Sequence, residues 1–239
     1  MPLPKINTPT YQLVLPSTGK KVSYRPFLVR EEKILIMALE TEDMKQISTA
    51  IVEILGACIL TKGVKVIDLS TFDIEYLFLN VRSKSVGEVV EVNVTCPDDG
   101  ETQVQMEINI DDIKVQKDKK HKSLIKLDDN LSMKMKYPSI EQFVESNFEV
   151  GENQSVDESL GMITSCIEQI YTDEESWSAA DSTTEELKEF IEQMNTKQIK
   201  QIEGFFSTMP KLSHKVMVKN PKTEVESEVV LEGLASFFN

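Results

Sequence analysis

Val92-Asn93-Val94-Thr95-Cys96-Pro97-Asp98-Asp99-Gly100 is the stretch from which the rest of the chain is read. Val90, Val92 and Val94 alternate with other residues, Pro97 to Gly100 has the composition of a tight turn, and Val104, Met106, Ile108 and Ile110 alternate again. Period-two apolar runs on both sides of a turn predict a β-hairpin with Cys96 at its tip. A Cys-Pro-x-Cys-Gly turn would present two thiolates to a tetrahedral zinc, which takes four ligands at about 2.0–2.3 Å. Asp99 stands where the second thiolate would be, so the knuckle at Cys96 and Asp99 reads as degenerate and no metal is expected.

A fainter copy lies near the C-terminus, where Val216-Met217-Val218-Lys219-Asn220-Pro221 precedes Val225, Val229, Leu231 and Leu234. Aligning Pro97 with Pro221 sets Asn220 opposite Cys96. If the second turn is three residues shorter, Val104 then matches Val225 and Ile108 matches Val229. Two such hairpins, each with a Cys pair, would form a zinc ribbon. Here the two tips hold one Cys, and losing three of four soft ligands leaves too little affinity to fix a divalent ion.

Outward from these hairpins, Leu13 to Leu15 and Val22 flank a Gly-containing turn and predict an N-terminal hairpin. Ser17-Thr18-Gly19-Lys20-Lys21 lacks the first glycine and the final Ser/Thr of a phosphate-binding loop. Helices are predicted from Val29, from about Thr41, and from Ser70-Thr71-Phe72-Asp73, which has the pattern of a capping box. Short strands are predicted around the turn Asp128-Asp129-Asn130. Beyond Pro138 the chain reads as helical, with caps at Ser139/Gln142, Ser155/Glu158, Ser182/Glu185 and Asn195/Gln198. One helical stripe runs Val156, Leu160, Ile163, Ile167, Ile170; two more precede Pro210.

The expected fold class is α+β, helical segments with several antiparallel β-hairpins, two of which resemble degenerate zinc-ribbon hairpins. Four segments are expected: 1–85, an N-terminal hairpin plus helices; 86–137, β-rich with a lysine-rich loop; 138–210, acidic and helical; and 211–239, a hairpin with an apolar tail.

With 40% hydrophobic residues in 239, the chain has enough apolar surface for a core. No apolar run approaches the ~20 residues that span a bilayer, and the N-terminus lacks a signal-peptide pattern, so a soluble cytoplasmic product without membrane contact is expected. Cys58, Cys96 and Cys166 are odd in number and scattered, which reads as reduced thiols. The net charge of −14 is uneven: residues 141–208 hold sixteen acidic and three basic side chains, residues 114–137 eight lysines and three aspartates. That overall field repels nucleic acid, although a nucleic-acid-binding module acting through Lys114 to Lys126 is the alternative reading.

Nothing in the pattern supports an enzyme. His121 and His214 are far apart, no Ser or Cys sits in a nucleophile elbow, and no glycine-rich loop cradles a phosphate, so no cofactor is expected. His121, between Lys120 and Lys122, reads as an exposed loop residue whose neighbours lower its proton affinity. Asp111-Asp112 and Asp128-Asp129 read as turn formers. Trp177 lies in a polar loop and either caps the core or anchors a partner. The apolar ending, with Leu234, Phe237 and Phe238, either docks on the chain's own core or is buried against another subunit. Leu234, Phe237, Phe238 and Trp177 are therefore the candidate partner-binding residues.

Three motifs together carry a resemblance: Arg25-Pro26-Phe27 followed by Glu31-Glu32-Lys33, the Cys-Pro-x-x-Gly turn, and Glu232-Gly233-Leu234 ending in Phe237-Phe238. On them the chain resembles the baseplate hub assembly proteins of T-even-like contractile-tailed bacteriophages, over most of its length. The family pattern has fuller Cys pairs at the hairpin tips, and this sequence departs from it at Asp99 and Asn220. The resemblance implies a protein needed to build the tail's baseplate hub through contacts with other hub proteins or itself. It would work in the host cytoplasm during assembly or in the virion tail baseplate.

Overall fold

From Tyr11 the chain runs into a hairpin and then a series of short elements, seen in a computed structural model that describes residues 6–140, 142 and 156–237. The helices among them are α1 (Val29–Leu39), α2 (Met44–Cys58), α3 (Thr71–Ser83), α4 (Val156–Ser165), α5 (Thr184–Glu192) and α6 (Thr196–Thr208). The first strands are β1 (Tyr11–Val14), β2 (Lys21–Tyr24), β3 (Val89–Thr95), β4 (Gln103–Asn109), β5 (Lys114–Gln116) and β6 (Leu124–Lys126). Then follow β7 (Ser132–Met135), β8 (Ile167–Tyr171), β9 (Ser176–Ser178), β10 (Lys211–Lys219) and β11 (Glu226–Glu232). The fold class is α+β, with every paired strand antiparallel.

The chain divides into two units, 1–116 with 211–239, and 117–210. Of the four sequence segments, 1–85 and 211–239 fall in the first unit, 138–210 in the second, and 86–137 is divided between them. The cap expected at Ser155/Glu158 and the terminal Phe238 lie outside the described residues.

In the first unit, β1 pairs with β2, β3 with β4, and β10 lies between β11 and β5. Alternation along β3 buries Val90, Val92 and Val94, which join Ile108, Val216, Val218 and Phe237 in one apolar cluster. Burying side chains of this size stabilises by about 1.5–3 kcal/mol each, which is what fixes the face each strand turns inward. Asp43 caps α2 by accepting from Lys45 N and Gln46 N.

The cap expected from Ser70 and Asp73 does not form. Ser70 makes no side-chain cap bond at the start of α3. Buried Asp73 instead accepts from the N–H of Ser17, 3.0 Å away, and from the Ser17 hydroxyl, tying α3 to the β1–β2 turn. A long-range partner has displaced a local one, because a fully buried carboxylate needs more donors than a helix terminus supplies.

The second unit has a four-stranded sheet in the order β6-β7-β8-β9 with α4, α5 and α6 beside it. Its core joins Ile125, Met133, Ile163, Ile167, Leu187 and Phe205, among others. Boxes form at Ser139/Gln142 and Asn195/Gln198 as the spacing predicts. The cap expected at Ser182/Glu185 falls one residue later, at Thr183/Glu186, where either neighbour has the required hydroxyl.

The stripe Ile163-Ile167-Ile170 is not one helix: α4 stops at Ser165, and Ile167–Tyr171 is β8. Met133 pairs with Ile170, Lys134 with Gln169 and Met135 with Ile167, so Glu168 is an extra residue in β8. That bulge turns both isoleucines into the core although they are three apart. A bulged strand thus imitates helical spacing. The polar segment after it also holds a strand, β9, which three polar and aromatic residues gave no alternation to predict.

Candidate functional site

Where the β3–β4 and β10–β11 turns meet, the two copies of the Cys96 motif are bound to each other. In each turn the same backbone bonds close the tip: Gly100 N to Cys96 O and Glu224 N to Asn220 O, both 2.9 Å, then Cys96 N to Thr102 O and Asn220 N to Val225 O. Gly100 has φ 69° and Glu224 φ 63°, so Asn220-Pro221-Lys222-Thr223-Glu224 repeats the conformation of Cys96-Pro97-Asp98-Asp99-Gly100. A glutamate holds the left-handed position that favours glycine.

The equivalence of Asn220 with Cys96 therefore stands, while the return arms need correcting. Val94 pairs with Val104, and Val218 with Ser227, so Thr102 matches Val225, and Ile108 matches Leu231 rather than Val229. The second turn is one residue shorter, not three. A two-residue slip leaves every side chain on its own face, so alternation alone carries no signal against it.

Asn220 is completely buried, and its amide donates to both oxygens of Asp98, at 3.1 and 2.9 Å. Its own oxygen accepts from Lys222 N and Thr223 N. The Thr223 hydroxyl also donates to Asp98. Asp99 binds within its own turn, accepting from Glu101 N and Thr102 N at 3.1 and 3.0 Å. Hydrogen bonds from Thr223 and Asn220 lower the Asp98 pKa, and those from Thr102, with Asn220 adding to them, lower that of Asp99. Burial, then the charges of Asp98 and Asp99, push the Cys96 thiol up.

This donor set does not suit zinc. The one thiol is held protonated, the Asn220 amide is committed to Asp98, and thiolate ligands must be ionised to bind. Among the described residues no group of three or more His, Cys, Asp and Glu side chains is placed to hold a metal ion. The arrangement is a polar clasp joining two hairpin tips. Asp98 and Thr223 were not singled out by sequence; lining up Asn-Pro-Lys-Thr-Glu against Cys-Pro-Asp-Asp-Gly is the signal that could have found them.

The candidate partner-binding residues fall in different settings. Phe237 is 1% exposed in the first unit's core, so for it the apolar ending docks on its own chain. Leu234 packs half-buried beside it, and its N–H donates to Glu75 at 3.0 Å. Burial raises the Glu75 carboxyl to about 7, against the lowering effect of that N–H. Trp177 is 44% exposed in β9, at the sheet's edge. Asp173, Glu174, Glu175, Asp181, Glu185, Glu186, Glu189 and Glu192 are all exposed around it in sequence, with Lys188 as the one basic residue from 172 to 192.

His121 is not an exposed loop residue. It is partly buried, with Nδ1 3.1 Å from the Thr208 hydroxyl and Nε2 3.0 Å from the Tyr137 hydroxyl, and its ring lies against Tyr137 and Phe205. Its pKa is lowered by burial, with Asp118 opposing, rather than by the neighbouring lysines. Glu31 has the same structural character. Its carboxylate accepts from Arg25, Arg30 and the N–H of Leu28, at 2.9, 2.7 and 2.8 Å. Burial would raise its pKa, but those bonds outweigh it and bring it to about 2. The Arg-Pro-Phe…Glu motif is thus a buried ion pair that starts α1.

The sequence profile of the T4 bacteriophage base plate protein matches residues 8–239. The chain belongs to that family. No curated protein and no solved structure matches it. As a base plate protein it is a structural component of the phage tail whose role implies contact with other base plate proteins. In this base plate protein no helix among the described residues is long and apolar enough to cross a membrane.

Proposed function

We propose that this base plate protein is a non-catalytic subunit or assembly factor of the tail baseplate hub, acting through protein–protein contacts in the host cytoplasm. The observation that carries the reading is Trp177, exposed on an edge strand within a stretch of sequence, 173–192, that carries eight exposed carboxylates. Aromatic anchors are enriched at the centres of protein interfaces, where apolar burial drives binding, while charge selects the partner and speeds encounter. Leu234 and Phe237 serve this role by pinning the C-terminal end to the body.

Complementation tests the reading. Phage lacking this protein is grown on hosts expressing the wild type, Trp177→Ala or Glu185→Lys/Glu186→Lys, and assembled hubs and infectious tails are counted. Folded variants that fail to yield hubs support it; normal hub yield without the protein would overturn the hub role, and normal yield with both variants would overturn the surface.

A further inference from the structure

We infer that the outward face of α1 is a self-association surface, taking a second copy of this chain in an antiparallel helix pair. A surface helix ordinarily turns an apolar stripe inward and polar residues outward, and a helix that is apolar all round is a covered one. From Ile34 to Leu39 every residue of α1 is apolar. Glu31 and Ala38 face the core, yet Val29 is 80% exposed, Ile36 50% and Met37 58%, with Leu39 exposed beside them. Val29, Lys33, Ile36 and Glu40 follow at intervals of four, three and four, the spacing of a helix-pairing seam.

The charges on this seam choose the occupant. Lys33 and Glu40 are exposed, flank Ile36 and Met37, and have no ion-pair partner among the described residues. A parallel pair would set lysine against lysine and glutamate against glutamate. An antiparallel pair crossing between Ile36 and Met37 places each Lys33 level with the other copy's Glu40, because both lie equally far from the crossing point. It forms this contact twice and covers the apolar centre. Such self-complementarity is what a two-fold interface requires. The surface is one helix face, so the pair is a weak one, formed at high local concentration. It belongs to the first unit, whereas Trp177 belongs to the second, and it does not depend on the hub role.

Sedimentation velocity and light scattering on the full chain, across a wide concentration range, test this. The wild type is expected to show a concentration-dependent monomer–dimer equilibrium, and Met37→Glu to weaken it by at least about tenfold. Lys33→Glu and Glu40→Lys, each placing two like-charge pairs in the interface, are each expected to weaken it, while the Lys33→Glu/Glu40→Lys double variant restores it. All three side chains concerned, Lys33, Met37 and Glu40, are exposed, so far-UV circular dichroism and melting temperature should not change. A wild type that stays monomeric, a dimer indifferent to Met37→Glu, or a double variant no better than the singles would overturn the inference. So would variants that lose only binding to another base plate protein, which would assign the face to a different partner.

Discussion

The amide of Asn220 spans both carboxylate oxygens of Asp98, 122 residues upstream, at 3.1 and 2.9 Å. Buried Asn220 also holds its own turn, so one side chain closes one hairpin and fastens it to the other. Asn220→Ala is expected to lower unfolding free energy by about 1–2 kcal/mol, the net worth of such bonds. Asn220→Asp should cost more at neutral pH, by setting a third carboxylate beside Asp98 and Asp99, and recover as the pH falls through the carboxylate range. Urea unfolding at several pH values checks both.

The match between the two tips makes a metal prediction. Wild-type protein should carry no stoichiometric zinc, while Asp99→Cys/Asn220→Cys/Thr223→Cys, which with Cys96 supplies four thiolates at equivalent turn positions, should bind about one zinc per chain. Elemental analysis after dialysis reads the result. A metal-free triple variant would show that the tips are not aligned as a ligand set.

Glu75 and Glu31 should give opposite pH dependence. The Glu75 carboxyl is raised by burial to about 7 from the ordinary 4.5, so the folded chain holds a proton that the unfolded chain releases. Its contribution is complete below about 4.5 and is lost as the pH rises through 7. Glu75→Gln, which still accepts from Leu234 N, should flatten this decline in a plot of melting temperature against pH.

For Glu31 the folded value, about 2, lies below 4.5, so its contribution is present above 4.5 and fades as the pH falls toward 2. Glu31→Gln should cost about 2 kcal/mol at neutral pH, from loss of charge-assisted bonds to Arg25 and Arg30, and much less in acid. A neutral-pH loss that persists unchanged in acid would show that packing, not charge, was removed.

His121 has a defined tautomer. The Thr208 hydroxyl donates to Gly204 O at 2.6 Å, so it accepts from Nδ1–H, leaving Nε2 to accept from Tyr137. Nitrogen chemical shifts should report the Nδ1–H form, with a titration midpoint below 6.5. A midpoint at or above 6.5 would contradict the packed position.

Much of the α+β fold was legible because local chemistry forced it. Val90, Val92 and Val94 can bury only one face, Pro97 to Gly100 can only turn, and Asn195 with Gln198 caps a helix wherever it stands. The strand at Ile167 was not legible, because its core spacing came from a bulge opposite a strand more than thirty residues earlier. The C-terminal register was lost for a related reason: a two-residue slip preserves every face.

By itself, then, the sequence determined where most strands, turns and helices lie and set Asn220 opposite Cys96 at the two hairpin tips. Tertiary structure alone decided which buried polar groups satisfy one another: Asp73 with Ser17, Asn220 with Asp98, Glu75 with Leu234, His121 with Thr208 and Tyr137. Propensity and periodicity act over a few residues, whereas a buried donor or acceptor is paired with whatever the folded chain brings within about 3 Å. Those pairings are set by the whole chain at once, and no window of sequence contains them.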